Sequence, residues 1–226
     1  MDYSRVLVLI AAMNEEEGIG PTLLELKKTL DKPALLVVDG KSKDRTAEIA
    51  RASGAEVLIQ RGRGKGDAIG QAIMHVKGGV KYVVFIDADF TYPSGYLPEM
   101  IRILEENPRV GMVCGNRFND ELYLGRLHDI LYFGNRLIAF THNFLNGVEL
   151  KDPLTGLRVV RWEILKDWKP KSKGFDIEVE LNHQVERKGY GIMEIPIEYR
   201  PRLGEKKLRL RHGLGIMMRI VTESFL

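Results

Sequence analysis

Cysteine is almost absent from this chain of 226 residues, with Cys114 the only one. That excludes an internal disulfide and any metal site built from several thiolates, and it suits a reducing compartment. Long apolar runs are missing too. No stretch of about 18 apolar residues occurs, so no segment reads as a helix crossing a bilayer. The N-terminal run VLVLIAA (6–12) leads into Asn14 and three glutamates rather than a cleavage site. It reads as a core strand, not a signal peptide. Linker-like composition, internal repeats and low-complexity tracts are also lacking, so one domain is expected.

Glycine is present, 23 residues in all, but not where two common phosphate-binding motifs need it. The cluster RGRGKGDAIG (61–70) has no Gly-Lys-Ser/Thr at the spacing of a P-loop. The first strand ends without glycine, which argues against a dinucleotide fingerprint. Two readings of the cluster stay open. It is a basic surface turn, or Arg61, Arg63 and Lys65 meet an anion at a helix N-terminus.

With 44% hydrophobic and 29% charged residues, the chain is long enough to bury a substantial core. Its first half alternates two kinds of signal. Apolar runs at 6–12, 34–40, 55–60, 81–89 and 110–118 read as strands, the first as one buried on both faces. Between them, 20–30, 43–53, 66–76 and 97–106 read as helices, the first opening at Pro21 and the second capped by Asp44. This alternation predicts right-handed crossovers, and hence an α/β fold with a mostly parallel central sheet flanked by helices. The second half differs. Residues 127–145 and 174–189 read as helices and IMEIPIEYRPR (192–202) as an edge strand limited by Pro196, while DPLTGLRVVR (152–161) carries no assignment. His142 and His183, on helical segments, read as core or surface residues rather than ligands.

Charge is unevenly spread. The net charge is +3, yet residues 199–212 carry six Arg/Lys and one Glu, a local +5, leaving −2 for the remainder. Such a block suits a phosphate-bearing partner, an anionic membrane surface or a solvated face. The tail beyond it carries Leu214, Met217, Met218, Val221 and Phe225 near one helical face. That face suits a membrane interface or a packing or dimer contact.

Acidic groups stand at the ends of three predicted strands: Glu15 after Asn14, Asp39, and the pair Asp87 and Asp89 in VVFIDADFTYP. Open parallel sheets bind ligands beyond those ends. Singly, Asp39 could cap a turn and Glu15 could be a first-turn helix charge. Together they point to one site. Carboxylates two residues apart can share a Mg²⁺ or Mn²⁺ ion, which commonly takes one or two carboxylates plus substrate phosphates.

The ordered set AAMNEEEGIG, VVDGKSKDRT, RGRGKGDAI, DADFTYP, GNRF, DPLTGLR, GFDIEVEL and IEYRPRLGEKKL resembles the inverting family-two glycosyltransferases, in the branch of dolichyl-phosphate mannose and glucose synthases. The resemblance runs through nearly the whole chain. It implies a glycosyltransferase-A (Rossmann-like) fold, a nucleoside-diphosphate sugar donor and a polyprenyl phosphate acceptor. It also implies that Ala11, Met13, Glu15, Asp39, Lys65, Asp67, Asp87 and Ala88 line the donor and that Asp87 and Asp89 hold the metal. Arg117, Arg202, Lys206 and Lys207 would face phosphates. The catalytic set would then be Asp89, Asp152 and Arg117. Residues 1–118 would form the donor half, 119–204 the acceptor half and 205–226 a basic, amphipathic tail. A cytoplasmic enzyme, peripheral at the membrane, follows, with no nucleic acid involved.

This chain departs from the family pattern at Ala11 and Met13, where the family has Pro and Tyr. It departs again at Thr91 and Tyr92, which replace Gln and His after the aspartates, and at Lys206, which replaces Ser. A lipid phosphate acceptor, with a second pKa near ~6, needs cations rather than a strong base. A sugar hydroxyl acceptor would need a carboxylate base, with Asp152 and Asp176 the candidates. A sugar nucleotidyltransferase is disfavoured by the missing glycine-rich loop after the first strand, while a non-catalytic sugar-nucleotide binder stays open.

Overall fold

The computed structural model describes residues 3–118, 130–146, 149–205, 207 and 210–225. The strands are β1 (Val6–Ala12), β2 (Ala34–Asp39), β3 (Glu56–Ile59), β4 (Tyr82–Phe85), β5 (Val110–Asn116), β6 (Arg158–Arg161) and β7 (Gly191–Pro196). The helices are α1 (Glu16–Thr29), α2 (Thr46–Ala52), α3 (Lys65–His75), α4 (Leu97–Glu106), α5 (Ile130–Asn146), α6 (Trp162–Leu165), α7 (Ile177–Arg187) and α8 (Leu210–Ser224). The seven strands form one sheet in the order β3-β2-β1-β4-β6-β5-β7. Only β6 runs against the others, antiparallel to both β4 and β5. The expected mostly parallel sheet is therefore present, with an antiparallel strand inside it that the sequence pattern did not reveal.

Period-two alternation splits β1 between two apolar layers. Val6, Val8, Ile10 and Ala12 pack with α1, α2 and α4, through Leu23, Leu26 and Met100 among others. Leu7 and Leu9 face the opposite layer, with Ile69 and Ile73 of α3 and Leu181 of α7. A strand covered on both faces must be apolar throughout, which is why these strands read as unbroken runs.

The strand order reverses at β1. The chain steps outward through β2 and β3, then crosses back to place β4 on the other side of β1. Open α/β sheets carry their ligand crevice beyond the strand ends at such a switch point, here where the loops leaving β1 and β4 face each other. Both carry backbone in the left-handed region at non-glycine residues, Asn14 (φ 51°) and Phe90 (φ 65°). Each of these directly adjoins an acidic residue, Glu15 and Asp89. Such conformers cost about 1 kcal/mol or more each and concentrate at functional sites.

Two element boundaries differ from expectation. α1 begins at Glu16, not near Pro21, and carries Pro21 in its second turn. Its opening amides are taken up from outside: Glu15 N–H donates to Thr46 Oγ1 (2.7 Å) and Glu16 N–H to Asp44 Oδ2 (3.1 Å). Asp44 also accepts from Thr46 N–H and Oγ1–H (3.0 and 2.5 Å), so one carboxylate braces the starts of α1 and α2. β4 ends at Phe85, so Asp87 and Asp89 sit in the loop beyond it rather than on the strand. That loop lies directly on α1, because a Cβ at Gly18 would meet Ala88 O at 2.5 Å and Asp89 Cα at 2.7 Å.

Helices α5, α7 and α8 pack together through Ile138, Val179, Ile216 and Ile220. The His142 and His183 rings, 5.3 Å apart, are buried in this region as core residues, as expected. Burial pushes His142 down to about 4. Burial pushes Glu186 up to about 7, with Arg187 opposing it. A carboxyl that binds its proton more tightly when folded contributes stability fully below its unfolded pKa and loses it as pH rises through the folded value. Glu186→Gln is therefore expected to stabilise the protein by roughly 2 kcal/mol at pH 8 and by nothing at pH 4. Urea denaturation at the two pH values checks this, and equal effects at both would disprove it.

Candidate active site

The expected acidic residues gather at the crevice, and basic residues from the far end of the chain meet them. The segment 197–205 after β7 folds back over the loop that follows β4. Arg200 N–H donates to Thr91 O (2.9 Å) and Leu203 N–H to Asp89 O (3.1 Å). This sets the Arg202 guanidinium between Asp89 Oδ2 (2.7 Å) and Glu15 Oε1. Lys207 Nζ reaches Glu15 Oε1 at 2.5 Å and Asn14 O at 2.9 Å. Arg200 anchors the segment by pairing with Glu25 of α1 (2.6 Å) and lying over the Phe90 ring (4.6 Å).

The two aspartates occupy unlike surroundings. Asp87 Oδ1 accepts from Lys65 Nζ at 2.7 Å. Burial works against its charge, but the Lys65 ammonium outweighs that and holds the carboxyl below its ordinary value. Lys65 also pairs with Glu178 Oε1 (2.7 Å), and these two anions overcome burial and keep it firmly protonated. Asp89 is pushed up, first by burial and then by the neighbouring Asp87 charge. Its Oδ1 accepts from Thr91 Oγ1 (2.6 Å) and Thr91 N–H (3.2 Å). Thr91, where this chain leaves the family pattern, thus orients the carboxylate. Tyr92 is buried and accepts at its hydroxyl from Gly156 N–H (2.7 Å).

Arg117 follows β5 and grips Asp152 with two guanidinium hydrogen bonds, Nε to Oδ2 (2.7 Å) and Nη2 to Oδ1 (2.8 Å). Its own backbone N–H donates to the same Oδ2 (3.1 Å). The guanidinium also stands 5.3 Å from the Tyr199 ring centroid. Asp152 is only 1% exposed. Asp176 pairs with Arg219 of α8 at 2.9 Å. Burial opposes its charge, but polar contacts, the Arg219 guanidinium among them, hold it below the usual carboxylate range. Both carboxylates considered as bases are thus already engaged.

A second group lies at the ends of β2 and β3. Asp39 accepts from Ser42 N–H (3.0 Å) and Ser42 Oγ (2.5 Å), so it caps a turn as its local sequence allowed. Gln60 links the group, donating its backbone N–H to Asp39 O (2.8 Å) and its amide to Asp67 Oδ2 (2.7 Å). Ala11 is the half-buried penultimate residue of β1, Ala88 is buried between the aspartates and Met13 is 46% exposed. Lys206 lies outside the described residues.

The glycine cluster does not form an open anion cradle. Gly66 N–H donates to Lys173 O and Gly174 O, both at 3.2 Å. A Cβ at Gly64 would meet Lys173 O at 2.1 Å, and one at Gly66 would meet Ser172 O at 2.3 Å. These glycines permit close packing on residues 172–174, and Lys65 turns inward to carboxylates.

Glu178 and Arg158 belong to the site's framework and were missed from the sequence. Arg158, 1% exposed, donates to Pro153 O (2.6 Å), Thr155 O (2.8 Å) and Asn182 Oδ1 (2.5 Å), which shapes the 152–156 turn. An arginine in an apolar strand pattern was the available signal, since a buried charge requires such partners.

A divalent cation is consistent with this chemistry. Asp87 and Asp89 offer hard oxygen atoms, and a guanidinium already occupies one of them as a stand-in cation. Among the described residues no group of three or more His, Cys, Asp or Glu could hold a metal without other ligands. Diphosphate oxygens and water would complete such a shell.

Residues 7–169 match the family Glycosyl transferase family 2. This chain belongs to that family. It is 35% identical over 209 residues to a dolichyl-phosphate hexose transferase of Haloferax volcanii, covering 91% of this chain and 87% of that protein. It is 32% identical over 198 residues to the glycosyltransferase AglJ of the same organism, covering 87% of this chain and 63% of the relative. Among solved structures, it resembles glucosyl-3-phosphoglycerate synthase of Mycobacterium tuberculosis in complex with Mn²⁺, UDP-glucose and phosphoglyceric acid. That match has a TM-score of 0.76 at 22% identity and covers 98% of this chain and 80% of the other. The fold is that of the GT-A glycosyltransferases, and the protein is a glycosyltransferase.

Proposed function

We propose that this glycosyltransferase moves a hexose from a nucleoside-diphosphate sugar to a polyprenyl or dolichyl phosphate, using Mg²⁺ or Mn²⁺ at Asp87 and Asp89. One observation carries the reading: cations converge on the crevice while both candidate bases are engaged. Arg202 and Lys207 meet Glu15 and Asp89, and Lys65 meets Asp87. Asp152 is held by Arg117 through both oxygens. A hydroxyl acceptor would need a free base. A phosphate oxygen has no proton to surrender, but it needs positive charge to approach a second phosphate.

In the reaction, an acceptor phosphate oxygen bonds to the anomeric carbon from the face opposite the diphosphate. The bond from that carbon to the donor's diphosphate oxygen breaks, and the nucleoside diphosphate leaves with the electron pair. The anomeric configuration inverts. A bound divalent cation would neutralise charge on the leaving diphosphate. Arg117, Arg202 and Lys207 supply cations for the two phosphates. Asp39, Gln60 and Asp67 mark the nucleoside end, with Met13 beside it.

The acceptor lipid implies a membrane surface. α5 exposes Leu137, Phe140 and Phe144, the last 77% exposed, and α8 exposes Met218, Val221 and Phe225, the last 80%. Both sets recur at i, i+3 and i+7, one stripe per helix, with Phe225 just past the end of α8. No helix among the described residues is long or apolar enough to cross a membrane. Peripheral binding on the cytoplasmic face fits these stripes.

The test is transfer of labelled hexose from GDP-mannose or UDP-glucose to dolichyl phosphate in detergent, with 3-phosphoglycerate as the competing acceptor. Product on the lipid alone supports the reading, and product only on phosphoglycerate overturns it. Flotation with anionic vesicles checks the membrane part. Phe140→Ser/Phe144→Ser/Phe225→Ser is expected to reduce the floated fraction at least about fivefold. No change would refute that part.

A further inference from the structure

Arg202 holds a position that a divalent cation would also claim. Its guanidinium sits on Asp89 Oδ2 and on Glu15 Oε1, where Lys207 also binds. Two acids and two bases balance, yet the arrangement is unfinished. Arg202 Nε and Glu15 Oε2 are both buried without a hydrogen-bond partner. A buried donor left unpaired is costly, and a static structural clamp would be expected to satisfy it. An open guanidinium N–H beside a carboxylate is suited to a phosphate oxygen. Glu15 would not be stranded if Arg202 left, because Lys207 stays on it.

The segment carrying Arg202 also permits such a movement. It is attached to the β4 loop by two backbone hydrogen bonds on either side of the guanidinium, from Arg200 and Leu203. The side chain can therefore change partners while the backbone remains docked.

On the reading of this site as a metal-diphosphate site, we propose that Arg202 is a resident counter-ion. It neutralises Asp89 in the empty enzyme, and it exchanges there with the divalent cation that arrives with the donor. The guanidinium then takes the donor's diphosphate. The consequence is ordered chemistry: free metal binds poorly, because it must displace a cation that has nowhere to go. Metal and diphosphate bind well together, because the second supplies Arg202 with a new partner.

The test measures Mn²⁺ binding by electron paramagnetic resonance without any nucleotide. It then measures GDP and UDP binding by calorimetry at saturating Mn²⁺. Arg202→Gln is expected to bind free Mn²⁺ about tenfold tighter than wild type, since a repelling unit charge is gone. The same variant is expected to bind the nucleoside diphosphate about tenfold weaker. Arg202→Lys, which keeps the charge, is expected to match wild type for free Mn²⁺ within about twofold. Opposite signs in the glutamine variant support the exchange. Unchanged or weaker Mn²⁺ binding there overturns it, as does tighter binding in the lysine variant. Failure of both nucleotides to bind any of the three proteins would instead sink the donor reading, and the nucleotide-free titration would still decide the exchange.

Discussion

Asp89→Asn is expected to lower kcat/KM for hexose transfer on the order of 10³-fold, about 4 kcal/mol of barrier. The substitution is isosteric, and an asparagine Oδ1 can still accept from Thr91, so the loop geometry survives. The negative charge does not, and with it goes the electrostatic hold on Arg202 (2.7 Å) and on a divalent cation. Asp87 cannot compensate, because its Oδ1 is taken by Lys65, which is shared with Glu178. The loss should fall on Mn²⁺-dependent donor binding and on kcat together. A variant retaining more than a tenth of wild-type transfer at saturating Mn²⁺ would refute the assignment of the cation to Asp89.

The second large effect is on stability. Asp152→Ala should destabilise the fold by about 3–5 kcal/mol, because it leaves the Arg117 guanidinium buried without its anion. Asp152 accepts three hydrogen bonds from Arg117. Its own N–H and that of Lys151 are taken by Glu194 of β7, both at 2.7 Å, so the turn cannot readily move to rehydrate the charge. Arg117→Met/Asp152→Leu removes both charges and should recover more than half of that loss, since a buried pair contributes less than its broken half costs. Transfer activity should remain absent in the double variant, because Arg117 is then missing from the phosphates. Urea denaturation paired with the transfer assay separates the two effects. A double variant no more stable than Asp152→Ala would show that the turn depends on this pair for its shape and not for its charge balance.

Much of the architecture was legible from local pattern. β1, β2 and β5 are covered on both faces, so each must be a continuous apolar run, and such runs stand out. β6 was not legible. It is four residues long, is paired on both sides by antiparallel neighbours, and begins with the buried Arg158. Its identity as a strand depends on β4 and β5, which lie far away in sequence. The start of α1 was misplaced for a similar reason. Pro21 and two glycines mask the helical period, and Asp44 and Thr46 provide from another loop the acceptors that let the helix begin at Glu16.

The glycine cluster teaches the same lesson from the other direction. Its composition suited an anion cradle, but the amide of Gly66 is taken by residues 173 and 174. Only the packing of a distant segment could reveal that.

For this protein, then, the sequence alone determined the layered α/β fold and the acidic residues at the ends of β1, β2 and in the loop after β4. Both follow from short-range rules, since burial dictates apolar runs and the strand ends of a parallel sheet collect ligand groups. Which cation meets which carboxylate was decided only by tertiary structure. Arg202 reaches Asp89 across 113 positions and Glu15 across 187. Those partners are chosen by the reversal of strand order at β1 and by the return of the segment after β7, and no local spacing encodes them.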